Sequence, residues 1–364
     1  MGNLPARAKV AVLLTRPETV LEDYARLMRL AEYQKYLPKD RDTALKINIS
    51  WHHFYPACST TPWQLEGVIK TLLADGYRKE LIHACHNRTV VVSAKKGEVA
   101  NKHKPVVEKY GLRNIHLYEN EKWIKYEPKG RMLVLKKIFP EGIHIPRRMV
   151  GENIIHLPTM KNHVFTTFTG AMKNAFGGLL HEKRHWTHSV IHETLVDLLA
   201  IQKEIHSGIF AVMDGTFAGD GPGPRCMVPF VKNFILASAD QVAIDAVAAK
   251  MMGYDPMSIK FIRLADEAGL GCGRLKEIEI VGEDISGVNF NFHGNENTFA
   301  SRGQKMIYWG PLKPLENFLL RSFITPWSYI ASIAYHDLYW YPFIGKNRMR
   351  EMMKTGWGRL FSAY

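Results

Sequence analysis

The chain has 364 residues, of which 46% are hydrophobic and 23% are charged, and its formal net charge is +13. This composition excludes a disordered or fibrous protein, and the length exceeds the ~250 residues at which single hydrophobic cores usually stop growing. The positive balance favours an anionic partner, which could be a small molecule, a membrane surface or nucleic acid; the alternative is a solvated basic face.

The cysteines and the apolar runs bear on cofactors and location. Cys58, Cys85, Cys226 and Cys272 lie far apart and include no C-x-x-C pair. This spacing excludes a locally ligated zinc ribbon, and we expect no iron–sulfur cluster. The chain starts without a signal-like apolar run and contains no stretch of ~20 apolar residues, which predicts a cytoplasmic protein without a spanning helix.

The first 150 residues alternate between short apolar runs and amphipathic segments. Thr61 and Pro62 start a helix, because threonine can cap exposed amides and proline fits the first turn. The pattern predicts strands at residues 9–14, 44–49, 81–85 and 114–118, extended pieces at 132–138 and 144–145, and helices at 17–35, 61–75 and 95–110.

The next 150 residues continue the alternation. The pattern predicts strands at residues 154–157, 209–213, 233–238 and 278–281, and helices at 187–206, 239–252 and 256–269. Strands that alternate with helices at this spacing predict an α/β fold with mainly parallel sheets flanked by helices. We expect two lobes, an N-terminal one at residues 1–150 and a second one at residues 151–300 that carries the main motifs.

Residues 301–364 are predicted to form a separate C-terminal extension. Between residues 315 and 364, aromatic side chains such as Trp327 and Phe343 interleave with basic ones such as Lys346 and Arg350. This mixture is typical of an interfacial segment, because rings enter the headgroup boundary while cations meet anionic lipid. The alternative is a tail that wraps its own core or a partner subunit.

The residues best suited to chemistry concentrate between residues 153 and 192. Lys161 and Lys173 each stand beside an asparagine, after a predicted strand and near a helix start. Backbone amides and two ammonium groups form an anion site there, and a glycine such as Gly177 lets the backbone approach a ligand closely. We therefore assign Lys161, Lys173, Asn174 and Gly177 to substrate binding; the alternative is that the lysines are solvated.

Histidines and carboxylates complete the predicted site. His163 and His188 stand near lysines, whose charge disfavours protonation, and a neutral imidazole can act as a base or bind a metal. Asp214 follows the best buried strand, where a carboxylate meets a metal, a hydroxyl or a histidine. Asp220, in the glycine-rich run that follows, and Asp245 are assigned to substrate binding. Asp245 stands among alanines and valines, so it needs a partner, for which a site lysine is the obvious choice.

The order of these motifs resembles that of the domain-of-unknown-function 362 (DUF362) family of prokaryotic proteins. The resemblance spans about residues 44 to 283 and rests on the motifs at residues 46–48, 61–62, 158–163, 169–177, 188, 214–215, 221–223, 238–245 and 253. It implies a cytoplasmic α/β protein with a shared polar site that includes Lys46 and Asn48, but no settled reaction. The ferredoxin-like module of some members is absent, and Gln241 replaces the proline expected after Asp240.

These features predict an enzyme of oxidoreductase or isomerase type that acts on an anionic small molecule in a cleft between the lobes. Lys161 and Lys173 would bind the anion, Asn174 would hydrogen-bond it, His163 would move a proton or ligate a metal ion, and Asp214 would orient that group. The alternative is a binding or assembly protein that docks on the inner face of a membrane, or on a partner subunit, through residues 315–364. Nucleic-acid binding lacks any recognisable module.

Overall fold

The computed structural model describes residues 8–294 and 296–364, and a mixed β-sheet forms its centre. The strands are β1 (Ala8–Leu14), β2 (Thr43–Ile47), β3 (Ile82–His86), β4 (Arg113–His116), β5 (Trp123–Tyr126), β6 (Ile143–Pro146), β7 (Asn153–Leu157), β8 (Thr159–His163), β9 (Thr167–Thr169), β10 (Gly208–Asp220), β11 (Val228–Ser238) and β12 (Ile278–Gly282). Their order across the sheet is β12, β1, β11, β10, β7, β2, β3, β4, with β8 paired to β10 and β9, and β5 and β6 form a separate ribbon.

Helices flank this sheet. They are α1 (Val20–Leu30), α2 (Pro62–Ala74), α3 (Ala94–Ala100), α4 (His103–Lys109), α5 (Leu135–Ile138), α6 (Ala171–Asn174), α7 (Phe176–Leu179), α8 (Ile191–Ile205), α9 (Gln241–Met252), α10 (Lys260–Glu267), α11 (Phe299–Tyr308), α12 (Glu316–Arg321), α13 (Pro326–Ile333), α14 (Lys346–Met353) and α15 (Gly356–Ala363). A 3₁₀ segment precedes α8 at Glu182–Val190, and a π-helix links α13 to α14 at Ala334–Gly345.

Two buried clusters lie on the two faces of the sheet. In β1, Val10 and Val12 belong to the cluster that contains the apolar residues of α8, α9 and α10, whereas Ala11 and Leu13 belong to the cluster of α1, α2 and α15. This division follows from the alternation of side chains along a strand. Strands β7, β2, β3 and β4 run parallel, as do β10 with β7 and β1 with β12, so the predicted α/β fold is confirmed.

Strands of both predicted lobes join this one sheet. β7 pairs with β2 and β11 pairs with β1, so strands from residues 1–150 and residues 151–300 are interleaved. The division of the chain into two lobes at residue 150 stays a prediction.

The long strand β10 extends past its predicted end at residue 213. It continues through Asp214 to Asp220, because β11 pairs with it over its whole second half, as far as Val228 opposite Asp220. The first part of the glycine-rich run is therefore a strand rather than a loop.

Two predicted elements differ from the structure for identifiable reasons. The helix at residues 95–110 is divided into α3 and α4, because Lys102 adopts a left-handed conformation with φ of 62°. The extended piece at residues 132–138 contains the helix α5 instead. The carboxylate of Asp197 accepts hydrogen bonds from the amides of Leu133, Val134 and Leu135 at 2.7–2.9 Å and so caps that helix. Because Asp197 lies in α8, the sequence around residues 132–138 gives no sign of this cap.

The C-terminal extension is helical and divides into an anchored part and an exposed part. Trp340, Trp357 and Phe361 are buried in the same cluster as α1 and α2. Phe323, which lies between α12 and α13, remains exposed, as do Leu338 and other apolar residues of α13 and the π-helix. No helix in the described part of the chain is long and apolar enough to cross a bilayer.

Candidate functional site

Strand β8 holds two predicted site residues on one face. Lys161 and His163 are two residues apart and point to the same side, whereas Asn162 points to the other. The Lys161 ammonium donates hydrogen bonds to the Cys58 carbonyl at 2.7 Å and to Thr159 Oγ1 at 2.6 Å. Burial lowers the pKa of Lys161 to about 8. Lys161 is therefore fully enclosed, and it is not the solvated surface lysine of the alternative interpretation.

Lys46 extends from the neighbouring end of β2. Its ammonium donates to the Ile47 carbonyl at 2.6 Å, and burial lowers its pKa to about 8. Its stem packs on Gly178, where an added Cβ would lie 2.7 Å from Cε, and its Nζ lies near Gly177. The Asn174 side-chain amide donates to the Lys46 carbonyl at 2.9 Å, which ties α6 to β2.

The short helix α6 carries Lys173 and is capped from α9. The Asp245 carboxyl group accepts hydrogen bonds from the amides of Ala171 at 2.6 Å and Met172 at 3.1 Å. The expected pairing of Asp245 with a lysine is thus corrected, because backbone amides occupy its oxygens. Burial raises the pKa of Asp245 to about 8. Asp245 positions the segment that carries Lys173 and forms no ion pair with that lysine.

Lys173 is the least constrained of these cations. Its Nζ lies 5.5 Å from the centre of the Phe176 ring, and no described residue accepts a hydrogen bond from it. Burial, together with the positive charges of Lys161 and Arg184, lowers the pKa of Lys173 to about 7. Ammonium and amine forms therefore coexist at neutral pH.

The two predicted histidines stay neutral beside these lysines. Burial and the charge of Lys173 lower the pKa of His188 to about 3 and lower that of His163 well below its ordinary value. The Phe165 amide donates to His163 Nδ1 at 3.1 Å, so the neutral ring carries its proton on Nε2. His163 is therefore arranged to donate a hydrogen bond rather than to accept a proton.

Aromatic rings hold the charged groups together. The Phe176 ring centre lies 5.5 Å from Lys173 Nζ, 6.0 Å from the Arg184 guanidinium carbon and 5.6 Å from the His188 ring. Phe165 contacts both His163 and His188, at 5.7 and 5.5 Å between ring centres. These contacts surround the candidate site, which we call the basic cluster: Lys46, Lys161, Lys173, Arg184, His163 and His188.

The three lysines of the basic cluster lack acidic partners. Within residues 8–294 and 296–364, no carboxylate forms an ion pair with Lys46, Lys161 or Lys173. Burial raises the pKa values of the neighbouring Cys85 and Cys58 thiols to about 12 and about 11, so these thiols are uncharged at neutral pH and supply no counter-charge to Lys46 and Lys161. Among the described residues, no carboxylate thus compensates the charge of these three lysines.

Asp214 has a different environment from the predicted one. Its carboxylate accepts hydrogen bonds from Tyr24 at 2.7 Å, from Thr61 and the Trp63 indole at 2.9 Å, and from the hydroxyl and amide of Thr216 at 2.7 and 3.0 Å. Five donors saturate its lone pairs. Asp214 joins α1, α2 and β10, and none of its hydrogen-bond partners among the described residues is a histidine.

Asn48 lies beside the basic cluster, because it shares the Cys58 carbonyl with Lys161, whereas Asp220 lies outside the cluster. Asn48 donates to the Cys58 carbonyl at 3.3 Å and accepts from Ser50 at 3.0 Å. Asp220 accepts from Asn162 at 2.6 Å, and its other oxygen lies 2.7 Å from His293 Nδ1. Because Asn162 points away from Lys161 and His163, Asp220 belongs to the opposite side of β8.

A polar groove of about 570 Å³ lies at the other edge of the sheet. Its lining residues at 40–42, 81 and 150–152 precede strands β2, β3 and β7. Ligands of parallel sheets bind at the carboxyl ends of strands, and the lining of this groove mixes both charges. The basic cluster is therefore a better candidate for an anion-binding site than this groove.

Some residues of the site were missed by sequence reasoning. Arg184 is buried, and its charge acts on Lys46, Lys173 and His188. Its neighbours at residues 181–188 are almost all polar, so no periodicity marks which of them points inward. Tyr308, at 6.0 Å from His188 between ring centres, comes from the C-terminal extension and has no signal in local sequence.

Comparison with known protein families confirms the resemblance inferred from the sequence motifs. Residues 43–250 match the family described as Domain of unknown function (DUF362). The chain is also 26% identical over 125 residues to the thylakoid-associated protein sll1697 of Synechocystis sp., a match that covers 34% of this chain and 39% of that relative. The chain thus spans well under two thirds of that relative.

Proposed function

The chain belongs to the DUF362 family, and we propose that it binds an anionic small molecule at the basic cluster. The observation that carries this proposal is the burial of Lys46 and Lys161, together with the partly buried Lys173, without an ion-paired carboxylate among the described residues. A buried cation is costly unless it loses its proton or meets an anion. An anionic ligand would supply the missing charge and raise the lysine pKa values that burial lowers.

The available donors support a ligand with phosphate or carboxylate oxygens. Lys173 Nζ has no hydrogen-bond acceptor in the described part of the chain, and His163 keeps its Nε2 proton for donation. His163 is the last residue of β8, at the carboxyl end where ligands of parallel sheets bind, and Lys173 lies in α6, which begins after β9. Lys161 and Lys46 already donate to carbonyl oxygens, so they contribute mainly charge.

The same arrangement supports an enzymatic role. Lys173 has a pKa of about 7 in the ligand-free chain, and a bound anion would shift it towards the ammonium form, which can donate a proton, whereas His163 and His188 are too weakly basic to take this role. We therefore transfer the proton-moving role predicted for His163 to Lys173. Oxidoreductase or isomerase chemistry stays the expected reaction class.

Isothermal titration with inorganic phosphate and with succinate tests this proposal. We expect Lys173→Met to weaken binding of the better anion at least about 10-fold, which corresponds to the loss of one charge-assisted hydrogen bond. Lys70→Met, which removes an exposed lysine of α2, is the matched control and should bind as the original chain does. Equal affinities of the two variants, or no binding of either anion, would refute the proposal.

A second role is supported by an exposed apolar surface, which we call the tail surface: Phe323, Trp327, Ile330, Leu338 and Phe343. Four of these side chains are 67–87% exposed, and residues 322–345 contain no lysine or arginine. Lys346 and Arg350 follow directly and are exposed. Apolar rings beside cations suit the surface of an anionic bilayer.

We propose that the tail surface docks the protein on an anionic membrane. The relative sll1697 is named for its association with thylakoids, which supports this role by analogy. Co-sedimentation with vesicles of phosphatidylcholine and phosphatidylglycerol tests it. Phe323→Ser combined with Ile330→Ser and Leu338→Ser should abolish binding, whereas Val99→Ser, at another exposed apolar site, should not. Unchanged vesicle binding of the triple variant would refute this role, and a loss of self-association instead would assign the surface to a partner subunit.

A further inference from the structure

Two histidines and a glutamate meet at the carboxyl ends of β3 and β4. His86 and His116 are the last residues of these parallel strands and lie opposite each other in the register. Their ring centres are 4.8 Å apart. Glu98 extends from α3 so that its Oε2 lies 2.9 Å from His86 Nε2 and 3.1 Å from His116 Nε2.

The three ligand atoms are close enough to share one ion. Each lies within 4.8 Å of the other two. Zinc binds imidazole nitrogen and carboxylate oxygen at about 2.0–2.2 Å, so small side-chain movements would bring all three into contact with one ion. Two histidines and a carboxylate are the protein ligands of many catalytic zinc sites and of non-haem iron sites.

Surrounding groups hold these ligands in place. His116 Nδ1 lies 3.0 Å from Glu119 Oε2, and Lys95 holds the other Glu119 oxygen at 2.7 Å. Asn114 donates to Glu98 Oε2 at 2.7 Å. A carboxylate on the outer nitrogen of a histidine fixes the tautomer that leaves the inner nitrogen free for a metal.

Two of the three ligands, His86 and Glu98, are buried. The His116 side chain is 16% exposed, which gives an ion access from solvent.

A second group of potential ligands, His52, His53 and Asp337, is less suitable. The His53 ring stacks on Tyr341 at 4.3 Å between centres. Asp337 Oδ1 accepts a hydrogen bond from the Trp51 indole at 2.6 Å, and its other oxygen lies 3.5 Å from His52. These side chains therefore serve to attach the π-helix to the loop after β2.

We propose that His86, Glu98 and His116 bind one divalent transition-metal ion, with Zn²⁺ the ion that best fits two imidazoles and a carboxylate. Three protein ligands leave a coordination position for water or another ligand. This site is separate from the basic cluster, so a chain that binds no metal ion here would leave the anion-binding proposal unaffected.

Titration of the EDTA-treated chain with Co²⁺, followed by visible absorption and by displacement with Zn²⁺, tests this site. One equivalent should bind, His116→Gln should lose the absorption band, and Glu119→Gln should weaken binding about 10- to 100-fold. His144→Gln, at an exposed histidine, is the matched control and should titrate normally. His52→Gln should also titrate normally.

Two outcomes would overturn the proposal. One is a chain that binds no Co²⁺, and the other is a His116→Gln variant that titrates like the original while His52→Gln does not. Circular dichroism checks the fold of each variant. If Glu98→Gln fails to fold, the His116→Gln and Glu119→Gln variants still test the metal site. Both side chains are partly exposed, so we expect these two variants to fold.

Discussion

Trp63 donates a hydrogen bond of 2.9 Å from its indole nitrogen to the carboxylate of Asp214, deep between α2 and β10. Tyr24 and Thr61 donate to the same carboxylate oxygen, and Thr216 donates to the other. A residue that the sequence assigned to catalysis therefore joins three elements of the core. This relationship leads to a prediction about stability.

Asp214→Asn should destabilise the protein by at least about 3 kcal/mol, because the new amide group would face donors that have lost a charged acceptor. Trp63→Phe removes one donor of the five and should cost less. The midpoint of urea unfolding measures both changes. An Asp214→Asn variant within about 0.5 kcal/mol of the original chain would contradict the role of Asp214 as a structural centre.

Gly170→Ala and Gly177→Ala should have opposite effects. A Cβ at Gly170 would lie 2.0 Å from Asp245 Oδ1 and would displace the cap of α6, which should cost about 1–3 kcal/mol. A Cβ at Gly177 would meet Lys46 Nζ at 3.7 Å, an ordinary contact, and alanine favours the helix α7. Thermal unfolding compares the two variants. Equal melting temperatures would show that the Asp245 cap contributes little.

Stability should depend on pH through the buried lysines. Lys46, Lys161 and Lys173 have folded-state pKa values of about 8, 8 and 7, below the ordinary 10.5. Between pH 8 and 10 the unfolded chain therefore binds more protons, so each lysine makes the free energy of unfolding rise with pH, by at most about 1.4 kcal/mol per unit. Buried thiols and phenols, whose pKa values are raised, make the free energy of unfolding fall with pH near pH 10 and so oppose the effect of the lysines.

The difference between variants isolates the lysine contribution. Lys161→Met should make the chain relatively more stable at pH 7 than at pH 10, because the penalty for burying the lysine is largest below its folded-state pKa of about 8 and falls as pH rises towards the unfolded value of 10.5. Urea unfolding across this range measures the difference, with Lys70→Met as the control. A constant difference between Lys161→Met and the original chain would contradict the lowered pKa of Lys161.

Two tryptophans of the C-terminal extension should behave differently. Trp357 is buried, its ring lies 5.1 Å from that of Trp63, and its indole donates to Asn233 at 2.7 Å. Trp357→Ala should therefore cost about 3–5 kcal/mol. Trp327 is 44% exposed, so Trp327→Ala should change the unfolding midpoint little and reduce vesicle binding. The reverse order of stabilities would contradict the division into anchor and tail surface.

Much of the fold was predictable from local pattern. Alternating apolar runs and amphipathic segments predicted the α/β class, and Thr61 does cap α2 through a capping box with Gln64. Predictions failed where a distant group decides local structure. Asp197 turns residues 135–138 into a helix, and pairing with β11 carries β10 through the glycines after Asp214.

The candidate site shows the same division. By itself, the sequence placed Lys161, His163, Lys173, Asn174 and His188 in one stretch, and the structure brings these residues together with Lys46 from β2. Only tertiary structure decided what the carboxylates do, because hydrogen-bond partners from distant elements bind Asp214, Asp220 and Asp245 away from the lysines. Residue type and order set which groups are available, whereas burial and packing determine their charge and their partners.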